Sequence, residues 1–142
     1  MTTTTSRREF SIETRAEQLA ALRDFVRTTL GAAGVGAAAA RLMALAVDEA
    51  ATSIVAEAAD TGRHGRITVE LDIDDVRIKA NIADTCREFC LSDTNPAEIQ
   101  AAVDRSKRHE LGIFLMRAIC DEISYSYKRG FQNDLELVKF LY

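Results

Sequence analysis

Two short stretches carry the side chains best able to do chemistry. In AVDEAATSIVAEAAD, an alanine-rich and therefore helix-prone run, Glu49, Ser53 and Glu57 recur every fourth residue. One helical face thus presents carboxylate, hydroxyl and carboxylate in a row. The second stretch is DTCREF, residues 84 to 89, which closes the alternating apolar run IKANIAD with an acid, a thiol, a base and a second acid but no glycine. Connections of this kind, held by a rigid scaffold, often carry function. Taken by its residues, DTCREF is a binding loop, a binding loop that has lost its function, or a plain connection, and all three readings stay open.

The remaining candidates are weaker. Cys86 and Cys90, with His64 and His109, offer soft metal ligands, but their spacing matches no zinc pattern. Three cysteines make an odd count without a disulfide framework, which agrees with a reducing compartment, and Cys86 and Cys120 read as small buried apolar residues. The one local basic cluster is RSKRH at 105 to 109, and the formal net charge of -4 argues against a nucleic-acid binder. MTTTTSRREF has no apolar core of a signal peptide, and no apolar run approaches the roughly 18 residues of a membrane span, so a cytoplasmic location is expected.

These groups must be positioned by ordered elements, and the 142 residues are enough for one domain with a real core. FSIET alternates as an edge strand would, and AEQLAALRDFVRTTL then sets Leu19, Leu22, Phe25, Val26 and Leu30 at helical spacing. GAAGVG at 31 to 36 has the glycines of a phosphate loop but follows a helix, which makes it a helix C-cap and turn. A second helix runs from Ala37 to about Asp60, with Met43, Val47, Ala50 and Ile54 on its packing stripe. RITVELDID and VRIKANIAD alternate across a tight turn near Asp74 and Asp75, which predicts a hairpin with Arg77 and Lys79 opposite Glu70 and Asp72. Residues 96 to 108 read as a short polar helix and LGIFLMRAIC as a more buried one, followed by a second hairpin from ISYSYK and DLELVKFL. The expectation is a single α+β domain over residues 1–142, helices on one face of a mainly antiparallel sheet, with residues 1–6 as a disordered tail.

LAVDEAATS on a helix, IADTCREF after a strand, and HELGIFLMRAICDEISYSY before the last hairpin fall in a telling order. Together they resemble the anti-sigma-factor serine-protein kinases of RsbW/SpoIIAB type, within the GHKL (histidine-kinase-like) ATPase superfamily. The resemblance implies a two-layer fold with ATP and magnesium held between helix and lid. In the family's first box Glu49 stands at the catalytic glutamate, which acts on the attacking hydroxyl, and Ser53 stands where an asparagine binds magnesium. In the second, Asp84 matches the aspartate that accepts the adenine amino group and Phe89 the usual phenylalanine, whereas Cys86 and Glu88 replace glycines that let the backbone approach the nucleotide. In the third, Glu110, Leu111 and Gly112 fall at the lid that receives the phosphates, Glu110 where a glycine is common. A carboxylate about 4 Å from a phosphate charge, at an effective dielectric near 20, opposes binding by roughly 4 kcal/mol.

The resemblance therefore implies a regulator that binds a sigma factor and a STAS-domain anti-sigma antagonist, with weak or absent nucleotide binding. Its alternative is an active ATP- and magnesium-dependent serine kinase of the antagonist, in which Ser53 holds the metal and Arg105, Lys107 or Arg108 neutralises the phosphates. A homodimer is implied as well, paired near the first strand, where FSIET has the pattern of an exposed edge.

Overall fold

The computed structural model describes residues 6–85, 116–128 and 132–141. Five strands, β1 (Ser6–Glu13), β2 (Arg66–Ile73), β3 (Arg77–Asp84), β4 (Glu122–Lys128) and β5 (Gln132–Phe140), form one sheet in the order β1-β2-β3-β5-β4. Every neighbouring pair is antiparallel. Helices α1 (Leu19–Ala32) and α2 (Ala37–Thr61) supply the second layer, and the α+β expectation holds.

The period of two in the sequence becomes two unlike faces. Ile67, Val69, Leu71 and Ile73 of β2 pair across with Asp84, Ile82, Ala80 and Ile78 of β3, and all eight are buried. The alternate residues of both strands stay half-exposed or exposed on the other face. On the helix side, Leu19, Leu22, Val26 and Leu30 of α1 and Met43, Val47, Ala50, Ala51 and Ile54 of α2 join the same core. Phe25 is partly buried and stacks on Phe10 of β1, ring centres 5.1 Å apart at 18°. Arg23 Nε donates to Asp48 Oδ1 at 2.7 Å, which ties α1 to α2 one residue before Glu49.

Local chemistry sets the boundaries. GAAGVG is a helix stop: Gly34 sits at φ +79 and donates to the Gly31 carbonyl, while Val35 N–H reaches back to Leu30 O at 3.1 Å. That is the paired-bond cap that a left-handed glycine permits after a helix. Gly62, at φ +70, ends α2 in the same backbone region. In the β2–β3 turn, Asp74 Oδ1 accepts the N–H of Val76 at 2.8 Å and of Arg77 at 2.9 Å, so the turn closes on one side chain. Those two bonds, Val76 first, hold its carboxyl below the ordinary carboxylate range.

Two expectations change. β1 opens at Ser6, paired with Ile73, so Ser6 is a strand residue and not part of a disordered tail; residues 1–5 lie outside the described part. The hairpin charges also pair differently. Lys79 does sit opposite Asp72, but its ammonium reaches Glu136 of β5 at 3.5 Å. Glu70 faces Asn81 and is taken by Arg7 of β1 at 2.7 Å, and Arg77 lies 3.9 Å from Asp74. In LGIFLMRAIC, residues 116–119 are helical as expected and 111–115 lie outside the described residues, as does the helix expected over 96–108.

Leu71 is fully buried in the central row, so Leu71→Ala should lower unfolding free energy by about 2–5 kcal/mol. Arg23→Ala, which removes a partly exposed ion pair, should cost under about 1 kcal/mol. Urea denaturation of the two variants checks both, and the reverse ranking would contradict this account of the core.

Candidate functional site

α2 carries its polar groups on the shoulder of a packing helix. Met43, Val47, Ala50 and Ile54 are buried, as expected, while Glu49, Ser53 and Glu57 are half-buried along the neighbouring stripe. The helix itself aligns these three; no tertiary contact is needed to bring a carboxylate and a hydroxyl one turn apart. Oxygen donors of this kind suit a hard cation.

Asp84 is placed by three strands. It ends β3, with Ile67 of β2 on one side and Asn133 of β5 on the other, and shares the helix-covered face with Ile82 and Ala80. It is 1% exposed. Asn133, also 1% exposed, donates its side-chain N–H to Asp84 Oδ1 at 3.2 Å. Just beyond, Thr85 N–H donates to Arg66 O at 3.1 Å and Arg66 N–H to Thr85 Oγ1 at 3.0 Å, so β2 and β3 stay zipped past their last ladder pair. Of the expected ligand-binding residues, Cys86, Glu88, Phe89, Glu110, Leu111 and Gly112 lie outside the described residues.

Asn133 is the residue that sequence reasoning missed. Its signal was a polar side chain in the apolar column of NDLELVKF, two positions before Leu135 and four before the fully buried Leu137. Nearby, at the same end of the sheet, Thr85 helps line an open cavity of about 700 Å³ with Glu13, Thr14, Arg15, His64 and Arg66. There the buried Thr14 Oγ1 accepts Gly65 N–H at 3.1 Å and lies 3.2 Å from His64 Nδ1. No group of three or more His, Cys, Asp or Glu among the described residues is gathered to hold a metal.

Cys120 is buried at the end of the helical residues 116–119, where Lys139 Nζ donates to Ile119 O at 3.2 Å. Burial pushes its thiol up to about 11, the Lys139 charge works against that shift, and Asp121 adds to it. A thiol in such a place is an inert core residue, as its sequence reading held.

A family model for the histidine kinase-like ATPase domain matches residues 12–139. The chain belongs to that family. No curated protein matches it. Among the described residues no helix is long and apolar enough to cross a membrane.

Membership of an ATPase-domain family implies ATP, with magnesium the usual ion, and the residues can be tested against both. Glu49 and Ser53 offer half-exposed oxygens with chemistry suited to magnesium. The base end does not fit. A carboxylate that reads adenine must be reached by the adenine amino group, yet Asp84 is 1% exposed. No phosphoryl-transfer step is derived for this site.

The buried thiol makes a prediction with a definite sign. An ordinary thiol ionises near 9.0 and Cys120 near 11, so in that window the folded chain binds the extra proton. Stability should therefore decline as pH rises from about 9 to 11, and this component should vanish in Cys120→Ala. In a Cys86→Ser, Cys90→Ser background, iodoacetamide at pH 8 should alkylate Cys120 on the order of a hundredfold more slowly than an unfolded control. Rapid native alkylation, read by mass spectrometry, would contradict the placement of this residue.

Proposed function

We propose that this histidine kinase-like ATPase-family domain is an anti-sigma-type regulator, acting by binding a sigma factor or a STAS-domain antagonist rather than by turning over ATP. The observation that carries the reading is the disagreement between its two ends. The fold and the α2 stripe of a nucleotide-handling domain are kept, while the aspartate meant for the base is buried against Asn133. A domain in that condition retains a rigid surface for protein partners without needing the nucleotide.

Its partner contacts follow the same division. Inhibition in this reading needs no phosphoryl transfer, so the Glu49 charge is dispensable for it. β1 is a sheet edge whose outward row of backbone groups can pair with a second copy, and a homodimer through that edge belongs to the proposal. A working serine kinase is the second reading, favoured by Glu49 and Ser53 sharing the half-exposed stripe.

In vitro transcription with core polymerase and each alternative sigma factor of the source organism is the direct test. One sigma factor should be inhibited without ATP, and Glu49→Gln should inhibit within about twofold of the native chain. Failure against every sigma factor, together with phosphate transfer to a STAS partner that Glu49→Gln abolishes, would replace the regulatory reading by the kinase reading. Titration calorimetry with magnesium-ATP should give no micromolar site, and sedimentation should give a dimer that an added proline at Ser11 disrupts, since a proline there cannot donate along the edge.

A further inference from the structure

We infer that the cavity between the ends of β1 and β3 and the start of β2 is a binding site for the phosphate group of a small ligand, gripped by Arg66 with His64 beside it. The inference is independent of the regulatory reading and of the α2 stripe. Glu49, Ser53 and Glu57 take no part in the lining, and Glu49 stands about 18 Å of helix before Thr61, the last residue of α2.

The cavity has a built floor. α2 stops where Gly62 turns to φ +70, and the run GRHGR, residues 62–66, then sets His64 and Arg66 two positions apart at the entrance to β2. That run is tied to the end of β1 through Thr14, which is 2% exposed. Thr14 N–H donates to Gly65 O at 3.1 Å, Gly65 N–H donates to Thr14 Oγ1 at 3.1 Å, and the same hydroxyl lies 3.2 Å from His64 Nδ1. On the other side Arg66 N–H donates to Thr85 Oγ1 at 3.0 Å. The backbone that carries His64 and Arg66 is thus held from both neighbouring strands, around a space of about 700 Å³.

The charges around that space are unevenly matched. Arg66 stands opposite Glu13 in the ladder, where a cross-strand ion pair is the ordinary outcome. Glu13 is instead engaged by Arg15 at 3.2 Å and by the Gln18 amide at 3.4 Å. The exposed Arg66 guanidinium is left without an ion pair among the described residues, with its planar fork of donors facing solvent. His64 keeps Nε2 for a ligand, since Thr14 meets its other nitrogen. Arg15 brings a second guanidinium to the lining, Glu17 from the 3-10 turn Ala16–Gln18 is the opposing charge, and Arg63 beside the loop has a partner of its own.

The mixture selects phosphate over carboxylate. A phosphate monoester carries about -1.5 to -2 charge at pH 7 and three strong acceptor oxygens, enough to engage Arg66 and His64 together against the Glu17 charge. A carboxylate brings two oxygens and a single charge. Free phosphate and a phosphate ester present the same group, and the experiment separates them.

The test is NMR of the isotope-labelled full chain, titrated with inorganic phosphate and with glycerol phosphate, and with potassium chloride at equal ionic strength as control. The amide signals of Gly65 and Arg66 should shift and saturate at millimolar phosphate. Arg66→Ala, a change at an exposed side chain, should keep the fold and weaken binding about tenfold, the size of one lost charge-assisted contact. Glu17→Gln should tighten binding severalfold, and Glu49→Gln should leave it unchanged. Saturation by the ester at lower concentration than by inorganic phosphate assigns the site to an esterified ligand, and the reverse order assigns it to the free ion; both support the inference. Equal shifts with chloride, or phosphate binding by Arg66→Ala as tight as by the native chain, would overturn it.

Discussion

A carboxylate sealed at the end of a central strand is the constraint around which the rest of this domain is arranged. In the paired register of β2, β3 and β5, Asp84 shares a face with Ile67, Ile82 and Ala80, so the period of two that buries the apolar residues also buries the acid. Shifting the register by one residue would free the acid and expose the whole apolar row with it. The fold keeps the row, and Asn133 meets the need for a donor that burial creates. The bonds between Thr85 and Arg66 then hold the strand ends closed beside it.

The second layer follows from a different economy of shape. α2 presents Ala46, Ala50, Ala51 and Ala58 among its buried residues, and such short side chains let a helix lie close to a sheet. Close approach leaves the shoulder of the helix half-covered, which is where Glu49, Ser53 and Glu57 fall. The buried stripe from Met43 to Ile54 sets the rotation of α2, and with it the direction of the polar stripe, while the Arg23–Asp48 bond joins the helix to α1 at its exposed side. Packing and site geometry are thus two consequences of one helical period.

What could be read in the chain was whatever depends on one element at a time. The alternation of RITVELDI and RIKANIAD, the stripe of α2 and the helix stop in GAAGVG each needs only local spacing, and each emerged as expected. β1 was read too short because Arg7, Arg8 and Glu9 are polar residues on an edge strand, where no second sheet face demands apolar partners. The partners of Lys79 and Glu70 were misjudged for a different reason. A hairpin shows one neighbour of each strand, and here the outer neighbours β5 and β1 supply Glu136 and Arg7. Asn133 lies about fifty positions from Asp84, and only the strand order β3-β5 brings them together.

That distinction bears on how much each residue reveals about function. Glu49 and Ser53 keep their spacing as long as α2 is a helix, so their alignment survives almost any change elsewhere and is weak testimony for catalysis. The surroundings of Asp84 combine three strands and one amide from a distant part of the chain, and would not persist by helical geometry alone. When the two disagree, the residue whose environment requires more of the fold should be given the greater weight. On that principle the buried Asp84–Asn133 pair says more about this fold than the alignment of Glu49 with Ser53 does.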